Sequence, residues 1–306
     1  MRYSSMNNKK RGITLKKIFL KKIKCFFAIL AVVFAFQMVF LQVDNGSLVY
    51  AEESKDIYYG DELYNDQTTE GITEIEQINY STQQEFCNFT NVSYPMYYNM
   101  NNELLNACAN SAGVNILGFY DRYYNSLIPD CAVGYMSVNF FNYYPMGYVS
   151  KQVQSVIEDL YIRMSTNSPE AGTTQAQFRN GLNSYVSSKG LSTTYYSVMN
   201  GNSLDINKVI TQIDNGYPVT LYLSGYNISN ITNDNGVSTL EKKLFNSNHI
   251  MIAHGYKIID YLDENGQIVE SKICLHVAPG IDLGSWKIYI VGDNGKVNYA
   301  EATKIT

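Results

Sequence analysis

Cys108 is the residue of this sequence whose position best suits nucleophilic chemistry. It stands at the start of a predicted helix, because apolar side chains from Ala112 to Tyr123 recur on one helical face behind it. The backbone N–H groups and the dipole at a helix start favour a negative charge, so a cysteine placed there reacts as its thiolate. A buried structural cysteine, or half of a disulfide, is the alternative interpretation.

Three histidines are the candidates for the base that a nucleophilic cysteine needs. His249 begins a predicted strand that runs to Tyr256. His254 stands five residues further on, and an odd offset in an extended strand directs it to the opposite face. His276 lies on the next predicted strand, across a hairpin, from where it can approach His249.

Four helices and a group of antiparallel strands are predicted to position these residues. The helix that begins near Cys108 is followed by three more, in residues 150–164, 174–190 and 203–216. Their predicted N-caps, in chain order, are Asn106, Ser150, Thr173 or Thr174, and Ser203.

The second half of the sequence changes to the period of strands. Residues 218–223 form a short predicted strand. Turn signals at 263–266 and 292–295 each predict a hairpin, one between residues 249–259 and 267–277 and one between 285–291 and 296–303. Helices followed by antiparallel strands indicate an α+β fold, with an N-terminal helical lobe packed on a C-terminal β-sheet lobe and a cleft between them.

These segments resemble those of papain-like cysteine peptidases, in the bacterial branch that includes streptopain and the double-glycine-leader peptidases. Residues 108–121 are similar to the nucleophile helix of that family. Residues 248–256, where His leads an apolar run closed by Gly-Tyr, are similar to its base strand. Residues 205–223 resemble the helix and strand before that base, and the whole resemblance spans roughly residues 90–290.

The resemblance implies a role for each matching residue. Cys108 would attack a peptide carbonyl as thiolate and form a thioester acyl-enzyme, and His249 would pair with it and protonate the leaving amine. The oxyanion hole would combine the N–H of Cys108 with a side-chain amide about six residues earlier. Asn102 occupies that place, with Asn99 and Asn101 as alternatives.

The third, orienting residue departs from the family pattern. An alignment on Pro279 puts Ala278 where the family has Asn or Asp, and alanine has no side chain that hydrogen-bonds. A shift by one or two residues puts His276 there, and a Cys-His-His set resembles the cell-wall NlpC/P60 peptidases. Asp282, in the following loop, is the alternative orienting residue.

Charge and hydropathy divide the chain into three parts. Residues 1–51 hold nine basic residues and one acidic residue around an apolar run, and small side chains at Val49 and Ala51 suit signal peptidase, so they predict a signal peptide. An uncleaved signal anchor is the alternative. Residues 52–85 are predicted to be an acidic linker or short pro-segment, and residues 86–306 the peptidase domain.

Composition restricts the partners and cofactors. The 255 residues after the predicted signal hold 14 basic and 27 acidic side chains, which excludes a nucleic-acid partner. Cys87, Cys108, Cys131 and Cys274 allow two disulfides in an exported chain, and they contain no CxxC pair, so no metal and no cofactor are expected. The only membrane contact expected is through the signal segment.

Together these features predict a secreted bacterial thiol protease that acts on polypeptides. Two alternatives use the same fold. One is a peptidoglycan amidase or endopeptidase of the NlpC/P60 type with the same cysteine and histidine. The other is a surface binding module without catalysis, which Ala278 and the absence of glutamine before Cys108 favour.

Overall fold

The computed structural model describes residues 56–60, 72–78, 81–86, 94–129, 136–138, 141–143, 149–234, 237–263, 265–282, 288–293 and 295–306. Residues Asp56–Thr306 form one compact unit. The predicted signal peptide lies outside the described residues. The unit begins well before residue 86, the predicted start of the domain, because Tyr59 is buried and two early strands join the main sheet.

Four helices are present in the described part of the chain. They are α1 (Cys108–Asp121), α2 (Lys151–Arg163), α3 (Gln175–Ser188) and α4 (Ile206–Asp214). Every residue of α1 from Cys108 to Tyr120 is buried, so α1 is the central helix rather than a surface one. Its amphipathic neighbours α2 and α3 each bury one apolar face.

The helix N-caps follow the predictions in two of four cases. Ser150 accepts a hydrogen bond from the backbone of α2, and Thr174 forms a reciprocal capping box with Gln177 on α3. The predicted cap Asn106 adopts a left-handed backbone, with φ of 59°, and Ala107 takes the cap position of α1. Asp205 caps α4 in place of Ser203.

Within the described ranges, the strands form an eight-stranded sheet and two small hairpins. The sheet contains β1 (Ile72–Ile78), β2 (Ser81–Phe86), β5 (Thr193–Ser197), β8 (Val219–Asp234), β9 (Val237–Leu262), β10 (Ile268–Ala278), β11 (Ile288–Ile290) and β12 (Lys296–Ile305). The hairpins pair β3 (Met136–Val138) with β4 (Phe141–Tyr143), and β6 (Met199–Asn200) with β7 (Ser203–Leu204). The overall class is therefore α+β.

Strand β9 organises the sheet. It pairs antiparallel with β1, β2, β8 and β10, and β11 pairs with both β10 and β8. The pairings of β8, β9, β10 and β11 thus form a closed circuit. The predicted hairpin at 263–266 is confirmed by the β9–β10 pairing.

Two sequence predictions about strands are wrong. The turn signal at 292–295 does not join a hairpin, because β8 lies between β11 and β12 in the sheet. His249 does not begin a strand, because β9 already starts at Val237. In both cases long-range pairing decides the arrangement, and local turn residues and apolar runs carry no signal of it.

Two of the three apolar clusters among the described residues join helices to the sheet. The helical cluster joins α1, α2 and α3 to sheet residues that include Tyr222, Ile250 and Ile252. The sheet cluster joins α4 to residues that include Leu223 and Met251. Because neighbouring residues of a strand point to opposite faces, the two clusters lie on opposite faces of the β8–β9 pair.

Candidate active site

Cys108 is the first residue of α1, as the sequence predicts. Cys108 is 2% exposed and belongs to the helical cluster. Ala107, the residue at the cap position, makes no side-chain cap to the first turn of α1. The field of the helix start therefore favours the thiolate form of Cys108.

His249 is fully buried within β9, opposite Leu223 of β8. Its ring Nε2 lies 2.7 Å from the carbonyl oxygen of Pro279. Since a carbonyl oxygen only accepts, Nε2 must carry the proton, and Nδ1 is then the basic nitrogen of the neutral ring. The hydrogen bond to Pro279 fixes the tautomer that a general base needs.

The Pro279–Gly280 bend connects the His249 ring to the start of α1. Gly280 has a positive φ of 73°, and a Cβ there would lie 3.7 Å from the Cys108 carbonyl oxygen and 2.9 Å from the Cβ of Ser111. Thus Pro279 hydrogen-bonds His249, and Gly280 packs on the first turn of α1. Only glycine allows this close approach.

Strand alternation sets the direction from which His249 meets that bend. Ile250 and Ile252 point into the helical cluster with Cys108. The His249 ring stacks on Tyr226 of the sheet cluster, with ring centres 4.5 Å apart. His249 therefore approaches the Pro279–Gly280 bend from the side of the sheet cluster, and α1 packs on the bend from the other side.

The structure places His276 with His254 rather than with His249. The two rings are 6.3 Å apart, and His254 stacks on Tyr94, which in turn stacks on Phe119 of α1. His276 pairs with Gly255, six residues beyond His249 along β9, which corresponds to about 20 Å of strand. The contact predicted for the His276 side chain is made instead by the Pro279 backbone carbonyl.

Asp282 and Ala278 do not supply an orienting group among the described contacts. Ala278 is fully buried in the helical cluster. Asp282 is exposed and hydrogen-bonds Tyr98, whose pKa is raised first by burial and then by the Asp282 charge. The Pro279 carbonyl was missed by sequence reasoning because every residue has a carbonyl. The one available signal was the Pro-Gly pair directly after β10.

The candidate oxyanion amides lie in the turn before α1. Asn102 is exposed. Asn99 is buried and donates its amide protons to the carbonyls of Asn101 and Leu104, so it organises the turn itself. The Asn101 side chain donates to Glu158 on α2. Of the three, Asn102 is the one whose side chain faces solvent.

No protein-family model, no curated protein and no solved structure matches this chain. Within the described ranges, no group of histidine, cysteine and acidic side chains is arranged to hold a metal ion. In the same ranges, none of the helices has the length and apolar character needed to cross a bilayer.

Proposed function

We propose that this chain is a secreted cysteine peptidase of papain-like fold, with Cys108 as nucleophile and His249 as base. The observation that carries the proposal is the Pro279–Gly280 bend, which touches both the His249 ring and the first turn of the Cys108 helix. A cysteine at the start of a buried helix and a histidine held in one tautomer are what thiolate–imidazolium chemistry needs.

The reaction proceeds through an acyl-enzyme. The proposed reaction first requires the Cys108 sulfur and Nδ1 of His249, which lie on the two sides of the Pro279–Gly280 bend, to move into contact. Nδ1 then takes the thiol proton, the sulfur bonds to the peptide carbonyl carbon, and the C–N bond breaks as the amine receives that proton. Water then adds to the thioester with His249 as base, which releases the carboxylic acid and restores the thiol. The Pro279 carbonyl holds Nε2–H throughout and stabilises the imidazolium.

Charge on the substrate oxygen is stabilised by backbone and side-chain donors. The N–H of Cys108 lies at the helix start, and Asn102 is the proposed second donor. Donors aimed at a developing oxyanion are each worth about 3–4 kcal/mol of barrier.

The proposed location is outside the cytoplasm. It rests on residues 1–51, whose basic start, apolar run and small residues before Glu52 have the order of a signal peptide. Signal cleavage after Ala51 leaves Asp56–Thr306, the compact unit, in the mature chain.

The second candidate function is a peptide-binding module on the same fold that lacks catalysis. The observation in its favour is burial, since Cys108 is 2% exposed and His249 is fully buried. A substrate carbonyl reaches the Cys108 sulfur only if neighbouring groups move aside. The two candidates differ in whether peptide bonds are broken.

Hydrolysis of casein and of purified peptidoglycan by the full chain tests the proposal. We expect Cys108→Ala and His249→Gln to lose casein hydrolysis by about 10³-fold or more, because both groups act in one step. Cys274→Ala is the matched control, a second buried thiol in β10. His276→Gln should retain most activity, because it lies far along β9.

Three outcomes would contradict the proposal. Undiminished casein hydrolysis in Cys108→Ala would show that Cys108 is not the nucleophile. Cleavage of peptidoglycan alone favours the cell-wall enzyme. A folded wild-type chain that cleaves neither substrate favours the binding module.

A further inference from the structure

Residues Asp56–Gly60 lie as an extended segment against the rest of the compact unit. The Tyr59 N–H donates to the Thr173 carbonyl at 3.0 Å, and the Thr173 N–H donates to the Tyr59 carbonyl at 2.8 Å. This reciprocal pair is an antiparallel bridge, the pattern by which a protein holds an added peptide strand.

The Tyr59 side chain fills a pocket between the helices and the sheet. It is 3% exposed, and its ring meets Tyr222 edge-on with ring centres 5.4 Å apart. The Asn298 amide donates to the phenol oxygen at 3.4 Å, and burial raises the pKa of Tyr59. The pocket thus offers an aromatic wall and a polar end, which suit tyrosine.

The residues on either side of Tyr59 are also held. The Asn248 amide donates to the Tyr58 carbonyl at 3.0 Å. A Cβ at Gly60 would lie 2.6 Å from Oδ1 of Asn106, which leaves space for glycine only. Gly172, next to the Thr173 bridge, also lies against the segment, because a Cβ there would lie 2.5 Å from the Tyr59 carbonyl oxygen.

The contacts of this segment define a groove, and the groove runs beside the candidate catalytic residues. Asn106 stands two residues before Cys108, and Asn248 stands directly before His249. Both asparagines contact the three residues from Tyr58 to Gly60, which span at most about 10 Å. A peptide in this groove therefore passes close to the backbone of both candidate catalytic residues.

We propose that this groove is a binding site for extended peptides in which tyrosine is followed by glycine, and that Asp56–Gly60 fills it as an intramolecular ligand. The inference deepens the proposed peptidase function by naming the sequence class of its substrates. Recognition combines the backbone bridge to Thr173, the Tyr59 pocket and the glycine-only space beside Asn106.

The tether makes this segment a strong competitor. A ligand on the same chain acts at an effective concentration in the millimolar range, so a free peptide of equal intrinsic affinity binds the intact chain weakly. Replacement of Tyr59 weakens the tethered ligand and leaves the groove residues unchanged.

The first experiment measures binding of a fluorescent Asp-Ile-Tyr-Tyr-Gly peptide by anisotropy. It uses the full chain with Cys108→Ala, so that no peptide is cleaved. We expect Tyr59→Ala in that background to bind the peptide at least about tenfold more tightly than the parent does. Ile57→Ala, at an exposed position of the same segment, is the matched control and should match the parent.

Peptide variants test the two recognition features. A peptide with alanine in place of the second tyrosine, and one with alanine in place of glycine, should each bind at least about tenfold more weakly. Equal binding of all three peptides, or no binding to a folded Tyr59→Ala chain, would overturn the inference.

The second experiment does not depend on the folding of a Tyr59 variant. Amide exchange is followed in Cys108→Ala at millimolar peptide. Displacement predicts that the Tyr59 amide loses protection while the Thr173 amide keeps it, because the free peptide replaces the Tyr59 carbonyl. If both amides lose protection together, or neither changes, the segment is ordinary structure and the inference fails.

The outcomes separate the two proposals. If the wild-type chain binds Tyr-Gly peptides but does not hydrolyse them, the peptidase proposal is wrong and the binding-site proposal stands. If hydrolysis depends on Cys108 but shows no preference for Tyr-Gly, the binding-site proposal is wrong and the peptidase proposal stands.

Discussion

At the scale of single residues, a buried ion pair ties α3 to the sheet. Glu301 on β12 is fully buried, and its carboxylate accepts hydrogen bonds from the Arg179 guanidinium and from the Tyr222 hydroxyl. Arg179 also donates to Tyr299 at 3.1 Å. This network lies beneath the Tyr59 pocket, because Tyr222 also forms the pocket wall.

We expect Arg179→Met to lower the free energy of unfolding by about 2–3 kcal/mol at neutral pH. Removal of one partner leaves a buried charge, which costs about 3–5 kcal/mol, and the partial exposure of Arg179 reduces the effect. The measurement is urea denaturation. The double variant Arg179→Met/Glu301→Gln should recover part of the loss, because no charge is then left unpaired.

Arg163→Met is the control for this prediction. Its partner Asp159 is 41% exposed, so we expect a change below about 1 kcal/mol. A loss in Arg163→Met as large as that in Arg179→Met would show that burial of the carboxylate does not decide the cost.

The sequence predicts different features of the two central residues of the candidate site. The position of Cys108 at a helix start is predictable because helix periodicity is a local signal. His249 is a candidate from its order in the chain, but its position in the middle of β9 is not predictable in that way. The Pro279 carbonyl and the displacement of His276 depend on the β9–β10 register, which the local sequence does not encode.

At the scale of elements, Gly181 allows α3 to approach the end of α2. A Cβ at Gly181 would meet the Met164 side chain and lie 2.8 Å from the Met164 backbone nitrogen. Met164 is fully buried at the C-cap of α2. The helical cluster therefore depends on a missing side chain at one helix crossing.

Gly181→Ala should lower the free energy of unfolding by about 1–2 kcal/mol. The gain in helix propensity is about 1 kcal/mol, and overpacking against a backbone that has no room to yield costs more. Denaturation of the neighbouring exposed variant Asn180→Ala, which gains propensity without a clash, provides the control. If Gly181→Ala is as stable as the wild type or more stable, α2 and α3 can move apart to accommodate the added methyl group at no cost.

The elements themselves are predicted unevenly. The caps Ser150 and Thr174 and the β9–β10 hairpin follow from a few adjacent residues, and the structure has them. Strands β1 and β2 fall in the segment that reads as an acidic linker, because their partner β9 is more than 150 residues away. Such pairing leaves no trace in the local composition.

At the scale of the whole molecule, buried tyrosines make stability sensitive to alkali. Burial raises the pKa of Tyr185 and of Tyr289 to about 12, from an ordinary value of 10. The pKa of Tyr222 is raised further, first by burial and then by the Glu301 charge. Each of these phenols is neutral in the folded protein at a pH where the unfolded chain already ionises.

We expect the free energy of unfolding to be unaffected by these phenols below pH 10 and to fall between pH 10 and about 12. The sign follows because the unfolded state releases protons first, at about 1.4 kcal/mol per pH unit for each phenol. Urea denaturation over this range measures it. Tyr185→Phe should reduce the slope, and the exposed control Tyr123→Phe should not.

The position of β9 in the chain has a consequence for biosynthesis. Strand β1 starts at Ile72, but the strand that pairs with it ends at Leu262. A ribosome that adds about 5–20 residues per second needs on the order of 10–40 s to complete that stretch. Until then β1 and β2 lack their partner strand, so we expect the nascent chain to be prone to aggregation for most of its translation.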